Sequence, residues 1–246
     1  MAMMRAGDAL RRMAQLPFAA LDAIVPGTAL ILAPHPDDES LGCGGLIAAC
    51  CDRGRPPLVV VVTDGSQSHP DSALYPPSRL AELRECEALA ATSRLGLAPG
   101  RVRFLRLPDA AAPTQGVEFD AAVAEIAALV RVQAATTICA SWEHDPHCDH
   151  AAAARMGAAA ARQAGAALLR YPVWGWLLPE DHVLPSEDIV GLRLDITPYL
   201  PRKRRAIAAH ASQYAGLIPD DAGGFRLPGE LLAACDRPFE VYLRQP

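Results

Sequence analysis

The sequence lacks the segments that would place the chain in a membrane or on a nucleic acid. No uncharged apolar run approaches the ~20 residues of a membrane-spanning helix. There is no dense basic stretch, and 23 basic against 28 acidic residues give a formal net charge of -5. We therefore expect neither a membrane span nor a nucleic-acid partner. The only lysine, Lys203, stands beside Arg204 and Arg205, and this short basic run predicts a solvated helix face.

Signals for disulfides and for secretion are also missing. The seven cysteines are an odd number, no CxxC pair occurs, and most of them lie among alanine, leucine and valine, which favours reduced, buried thiols. Charged residues interrupt the N-terminal segment where a secretory signal would need an apolar core. They are Arg5, Asp8, Arg11 and Arg12. We therefore expect a leading helical arm and a cytoplasmic protein.

What is present is a globular composition in a chain of 246 residues, 51% of them hydrophobic. Short β-rich runs alternate with alanine-rich helical stretches, and the runs lack the period-2 pattern of a half-solvated strand. This predicts an α/β fold, a Rossmann-like three-layer sandwich with a mostly parallel sheet and helices on both faces. The predicted strands are residues 29–33, 58–63, 102–105, 136–140 and 168–173, and the predicted helices are 41–53, 79–95, 119–132 and 151–164.

The pattern weakens after residue 168. Residues 189–196 predict an antiparallel or edge strand, and residues 198–214 predict a helix with proline at its start. Residues 174–188 and 218–228 predict loops. No linker interrupts the chain, so we expect a single domain over 1–246. Its parts are an N-terminal arm (1–27), a core (about 28–215) and a C-terminal loop and strand (216–246).

Acids and histidines collect where four of the predicted strands end. In an open α/β sheet, ligands bind outside the carboxyl ends of the strands. Imidazole and carboxylate are the ligands of a catalytic zinc site, which takes three protein side chains and leaves one position for water. The segments that follow the strands are residues 34–39 (PHPDDE), 64–66 (DGS), 108–109 (PD) and 143–150 (EHDPHCDH).

The first of these segments offers two ligands for one ion. His35 and Asp38 are three residues apart on a tight strand-to-helix turn, so both can point at the same ion. The third ligand must come from another segment, and the turn after the fourth strand offers His144, His147 and His150. Asp37, next to Asp38, is the natural group to take a proton from metal-bound water. The alternative is that these acids only cap a helix, but the second histidine cluster argues against it.

These motifs resemble those of the PIG-L/LmbE family of zinc-dependent N-deacetylases. Residues 34–39, followed by Leu41-Gly42 and Gly44-Gly45, are similar to its opening motif, and residues 145–150 (DPHCDH) are similar to its second. The resemblance spans about residues 28–215. Weaker similarity lies at Thr63-Asp64-Gly65, at Arg84 with Glu87, at Leu107-Pro108-Asp109, and at Lys203 with residues 210–213 (HASQ).

The resemblance implies a metal centre with named ligands. His35, Asp38 and His150 would hold Zn²⁺, and sites of this kind also accept Fe²⁺ or another divalent metal. Asp37 would be the base that activates the metal-bound water.

The resemblance also implies roles beside the metal. His147 would lie near the developing oxyanion or act as the acid for the departing amine, and Asp149 would orient a histidine. Arg84 and Asp109 would contact the substrate. Some family members carry a tyrosine just before the second motif, whereas residues 143–146 here contain none. Either another group supplies its hydrogen bond, or the metal and His147 suffice.

The implied function is removal of the acetyl group from an N-acetylated amino sugar, with release of acetate. One alternative is a metal-dependent amidase for another acylated amine, and another is a non-catalytic sugar- or metal-binding protein. The expected partner is a small amino-sugar substrate, and a homo-oligomer is compatible with the sequence. Trp174 and Trp176 would either stack on a sugar ring or fill the core.

Overall fold

The computed structural model describes residues 3–185 and 188–244. Residues 1–2 of the predicted arm, 186–187 of a predicted loop and 245–246 of the C-terminal segment lie outside the described residues. The strands are β1 (Met3–Arg5), β2 (Thr28–Ala33), β3 (Leu58–Thr63), β4 (Val102–Leu107), β5 (Ala135–Ser141), β6 (Ala167–Tyr171), β7 (Val183–Pro185), β8 (Gly191–Asp195) and β9 (Phe239–Arg244). The α-helices are α1 (Ala6–Gln15), α2 (Leu21–Ile24), α3 (Asp38–Asp52), α4 (Pro77–Arg94), α5 (Val117–Val132), α6 (Cys148–Ala164), α7 (Leu200–Ile207), α8 (Ala211–Tyr214) and α9 (Gly229–Cys235).

The main sheet of the described chain has the order β4-β3-β2-β5-β6-β9-β8. Its first five strands run parallel, and β9 pairs antiparallel with both β6 and β8. At the centre, Leu30 lies opposite Leu58 on one side and Ile138 on the other. Because β2 and β3 are buried on both faces, their sequences are continuous apolar runs. A small separate sheet pairs β1 with β7.

Helices cover both faces of this sheet. Ile31 and Val59 face a core packed with residues of α3, α4, α7 and α9. Leu32 and Val60, the next residues along the same strands, face a second core packed with α5 and α6. Alternate strand residues therefore serve opposite layers, and the predicted three-layer sandwich is confirmed. No helix in the described part of the chain is long and apolar enough to cross a membrane.

Two glycines let α3 pack closely enough to bring its first turn to the strand ends. A Cβ on Gly42 would overlap the Tyr171 ring, and a Cβ on Gly45 would overlap the Ile196 side chain. Contacts this short would force α3 away from the sheet. Glycine destabilises a helix interior by about 1 kcal/mol relative to alanine, so it is the close packing that explains these residues.

The C-terminal third departs most from the prediction. The predicted helix over 198–214 is interrupted at residues 208–210, where His210 turns towards the centre of the molecule. The short strand β7 and a 3-10 turn at Trp174–Leu177 lie in the predicted loop over 174–188. The predicted edge strand is confirmed as β8, and β9 is inserted between it and β6. The basic run was misinterpreted at one position, because Lys203 is only 2% exposed.

Candidate metal centre and its cavity

The segments that follow β2 and β5 meet because these strands are parallel neighbours. The first segment leads into α3 and carries His35 and Asp38, and the second leads into α6 and carries His147 and His150. The carboxyl ends of parallel strands lie at one edge of a sheet, so residues far apart in the sequence converge there.

His35, Asp38 and His150 form a buried cluster whose potential ligand atoms all lie within 4.8 Å of one another. His35 Nδ1 and His150 Nε2 each lie 3.1 Å from Asp38 Oδ2. His150 Nε2 is buried and has no hydrogen-bond partner among the described residues. Two imidazoles and a carboxylate, with one buried nitrogen that makes no hydrogen bond, are a donor set that fits a divalent metal ion.

Carboxylates hold the outer nitrogens of both histidines. Asp145 Oδ2 lies 2.9 Å from His150 Nδ1, and Asp145 also accepts backbone N–H groups of residues 173–175. His35 Nε2 lies 3.1 Å from Asp149 Oδ2 and 3.3 Å from Asp109 Oδ1. When a carboxylate accepts from one imidazole nitrogen, the other nitrogen is left with a lone pair for a metal. This is the arrangement around both histidines.

The buried acids shift the pKa values of these side chains. Burial lowers the pKa of His150, but the negative charges of Asp38 and Asp145 outweigh it and raise this pKa to about 9. Burial also lowers the pKa of His35, yet its hydrogen bonds to three carboxylates hold it well above its usual value. Burial raises the pKa of Asp38, but the two histidines hold it far below its usual range. The cluster therefore has a negative potential that favours a bound cation.

Asp37 lies beside the cluster in a strained backbone conformation. Its φ is 155°, which residues with a Cβ rarely adopt. Its N–H is shared between His35 O and Glu39 Oε2, both at 3.0 Å. Burial raises the pKa of Asp37 to about 6, although the adjacent Arg84 lowers it. The Asp37 side chain makes no capping hydrogen bond to α3, so the helix-capping alternative is wrong for this residue.

A buried acid–imidazole pair lies behind Asp37. Glu39 Oε1 lies 3.0 Å from His210 Nε2 and accepts the Ser40 hydroxyl at 2.6 Å. Burial lowers the pKa of His210, but the charge and hydrogen bond of Glu39 outweigh this and raise it above its usual value. The pair thus ties the C-terminal part of the chain to the turn that carries Asp37.

His147 stands at the entrance to the cluster. Its ring centroid lies 4.6 Å from that of His35 and 5.6 Å from that of His150. Its Nδ1 accepts the Asp149 N–H at 3.2 Å and so caps α6. His147, His35 and Asp149 also form a second group whose spacing could hold an ion.

Arg84 and Asp109 both line the cavity beside the cluster, but their described contacts are with the protein. The Arg84 guanidinium donates to Gly65 O at 2.9 Å and to Pro36 O at 3.1 Å. Its Nη2 lies 3.3 Å from Asp37 Oδ2. Asp109 Oδ2 accepts the Gln67 N–H at 2.8 Å. Contact of these two residues with a substrate stays a prediction.

The cavity has a volume of about 350 Å³ and two kinds of wall. Polar side chains, among them those of the cluster, form one part of its lining, and apolar side chains form the other. Trp174 and Phe225 meet on the apolar side with ring centroids 5.8 Å apart. Trp176 packs elsewhere, against Arg237. The apolar lining also includes Leu41, Ala110, Pro146 and Leu227.

The family model described as PIG-L: GlcNAc-PI de-N-acetylase matches residues 30–161, more than half of the chain and both histidine motifs. The chain belongs to the PIG-L family. The predicted family and the predicted enzyme class, an N-deacetylase, are thereby confirmed. Among curated proteins, no sequence matches the chain.

Solved structures share the PIG-L fold at low sequence identity. N,N'-diacetylchitobiose deacetylase from Pyrococcus horikoshii is 20% identical with a TM-score of 0.60, covering 84% of this chain and 78% of that one. A40926 pseudoaglycone deacetylase is 22% identical with a TM-score of 0.66, covering 88% and 96%. The 4-carboxy-2-hydroxymuconate hydratase of Pseudomonas putida is 21% identical with a TM-score of 0.58, covering 76% and 80%. The fold therefore carries different activities, and the site must decide between them.

Sequence reasoning missed several residues of this PIG-L site. Asp145 lies inside the second motif, five residues before His150, and that position was the available signal. Phe225 and Leu227 lie in a segment predicted only as a surface loop, and nothing in their local sequence indicates that they line a cavity. Gln213 belongs to the HASQ segment, whose resemblance to the family implies no role for it.

Proposed function

We propose that this protein is a metal-dependent hydrolase that removes the acetyl group from an N-acetylated amino sugar and releases acetate and a free amine. The observation that carries the proposal is the convergence of the potential ligand atoms of His35, Asp38 and His150 in one buried cluster, with Asp37 beside them. Membership of the PIG-L family supports the reaction class. The amino-sugar substrate is supported by the cavity, which combines an apolar wall with polar groups.

We assign the metal to His35, Asp38 and His150 rather than to the overlapping group of His35, His147 and Asp149. The oxygens of Asp149 already accept backbone N–H groups of Ala110 at 2.7 Å and of Ala112 at 3.0 Å. His147 Nδ1 likewise accepts a backbone hydrogen bond. His150 Nε2, in contrast, has no such partner among the described residues. Zn²⁺ suits this donor set, and Fe²⁺, Co²⁺ and Mn²⁺ are chemically acceptable.

The bound cation would polarise the substrate carbonyl and lower the pKa of water. Asp37 then acts as the base: Arg84 holds its Oδ2, and Oδ1 takes the proton of the attacking water. His147 carries its ring proton on Nε2, because Nδ1 accepts a backbone hydrogen bond. Nε2 would donate to the oxygen that becomes negative during attack. Transfer of the proton from Asp37 to the departing nitrogen completes the reaction.

The test couples elemental analysis of the purified protein to acetate release from a panel of N-acetylglucosamine conjugates. We expect a bound divalent metal and acetate release that chelation abolishes and added metal restores. Acetate release from simple N-acetyl amines but from no sugar would favour the amidase alternative. A protein that binds metal yet hydrolyses nothing in the panel would contradict the proposal and favour a binding protein.

A further inference from the structure

Gln213 is held in one orientation by a chain of hydrogen bonds that starts at a buried carboxylate. Glu87 accepts the Ser212 N–H at 2.8 Å and the Ser212 hydroxyl at 2.6 Å. The hydroxyl hydrogen of Ser212 is thereby used, so its oxygen can only accept. Gln213 Nε2 donates to that oxygen at 2.9 Å and to Ser68 Oγ at 3.2 Å. Both amide hydrogens are used in this way, which fixes the opposite end of the amide as Oε1.

Gln213 Oε1 is a buried acceptor without a partner among the described residues. The residue is 0% exposed, and it lines the cavity beside the metal centre. A buried amide oxygen left without a donor destabilises the free protein, so a ligand that supplies a donor binds more tightly. Gln213 therefore lines the cavity with an amide whose oxygen has no donor among the described residues.

The surroundings of Gln213 are those of the apolar wall. Phe225 donates its backbone N–H to Ser68 O at 2.7 Å, and Leu227 donates its N–H to Gln213 O at 2.8 Å. These bonds place Gln213 beside the wall that Trp174 and Phe225 form. None of its described hydrogen bonds reaches His35, Asp38 or His150. The acceptor at Oε1 is therefore not part of the hydrogen-bond network of the metal cluster.

We propose that Gln213 Oε1 accepts a hydrogen bond from a ring hydroxyl of the substrate while the apolar wall covers the C–H face of the same ring. Gln213 is then a specificity-determining residue that favours amino sugars over acylated amines without ring hydroxyls. The inference rests on the proposed function, because it concerns the substrate of the same cavity.

The test is a cycle of substrate and protein changes. Methyl N-acetyl-β-D-glucosaminide is compared with its 3-, 4- and 6-deoxy analogues, using wild-type protein and Gln213→Leu. For the wild type, we expect the loss of one hydroxyl to lower kcat/KM about tenfold or more. For Gln213→Leu, we expect kcat/KM on the parent glycoside to fall by a similar factor. We expect no further fall on the analogue that lacks this hydroxyl. Gln213→Met repeats the test at similar volume if the leucine variant fails to fold. Gln163→Leu, an exposed change at the end of α6, is the matched control.

Equal effects of every deoxy analogue on the wild type and on the Gln213 variants would overturn the inference. The inference would also be overturned if the Gln213 variants lost as much kcat/KM on N-cyclohexylacetamide as on the parent glycoside. The donor to Oε1 would then be the amide N–H. If the wild type releases no acetate, the proposed function fails and ligand-observed NMR decides on Gln213 separately. The inference is supported if the wild type binds one deoxy analogue more weakly than the parent glycoside and the Gln213 variants bind the two equally. Absence of that pattern contradicts it.

Discussion

Two buried clusters of charge in this protein differ in how completely their acids are paired. Glu240 and Lys203 are both less than 5% exposed. Glu240 Oε1 accepts Lys203 Nζ and the Gly45 N–H, both at 2.7 Å. Its Oε2 accepts the Leu46 N–H at 2.9 Å and the Tyr242 hydroxyl at 2.8 Å. Donors of the protein itself therefore satisfy the whole carboxylate.

The cluster at the sheet edge has the opposite balance. In the described structure, the acids of this cluster outnumber its permanent cations. Histidine is positive only when protonated, and Arg84, which pairs with Asp37, is the single guanidinium among the described ion pairs of the cluster. The acids are Asp37, Asp38, Asp109, Asp145 and Asp149. The comparison shows that burial of charge alone does not identify a functional site. The useful observation is an excess of acceptors over the donors that the chain supplies.

The largest effect expected is loss of the metal at the edge cluster. His35→Ala removes one of three proposed ligands, so we expect both bound metal and acetate release to fall to background. Elemental analysis of the purified variant and the acetate assay measure the two effects. His182→Ala, a change at an exposed histidine, is the control. A His35→Ala protein with a full complement of metal would show that the ligands are misassigned.

The paired cluster should respond in stability instead. Lys203→Met leaves Glu240 buried without its cation, and we expect the free energy of unfolding to fall by about 3–5 kcal/mol. Urea denaturation measures this change. The metal content of the folded fraction should remain that of the wild type. Arg204→Met, which breaks an exposed ion pair with Asp236, should change stability little. An unaltered unfolding midpoint for Lys203→Met would contradict the comparison.

His147 separates binding of the metal from catalysis. His147→Ala removes the proposed oxyanion donor but no ligand, so kcat should fall about 10²–10³-fold while metal is retained. Steady-state kinetics on metal-loaded protein measure this. The asparagine in His147→Asn can still cap α6, so this variant should regain the stability that His147→Ala loses, but its turnover should stay low. Near-normal turnover of either variant would remove His147 from the mechanism.

The smallest effect concerns the pair of His210 and Glu39. The pKa of His210 is raised in the folded protein, so its protonated form stabilises the fold fully below the unfolded value of about 6.5. This stabilisation is lost as the pH rises through the folded pKa. We expect the stability difference between wild type and His210→Gln to be larger at about pH 6 than at about pH 9. Urea denaturation at both values tests it, with His182→Gln as control. A difference that grows with pH would show the opposite shift.

Local sequence patterns predicted most of the sheet and the heart of the site. The apolar runs of β2 and β3 reveal a doubly covered sheet, and the strand ends carry the histidines and acids. The helices α3 and α6 begin three residues earlier than predicted, because Asp38 and Cys148 already belong to their first turns. Short-range rules treat these polar residues as part of the preceding turn.

What the sequence did not reveal depends on contacts between distant segments. Lys203 stands in a basic run, and its burial follows only from Glu240 on a strand 37 residues away. The orientation of Gln213 depends on Ser68 and Glu87, which belong to two other segments. Phe225 lines the cavity because its backbone is tied to residue 68. None of these contacts leaves a periodicity or a spacing that could be read along the chain.

The position of β9 has a consequence for the order of events during synthesis. Glu240 holds the backbone of α3 at Gly45 and Leu46, yet it is synthesised after every proposed metal ligand. A nascent chain that already contains every proposed metal ligand would still lack the anchor of the helix that begins at Asp38. We therefore expect metal capture to follow the synthesis of β9, and a stop codon placed before β9 to yield a protein without a working centre.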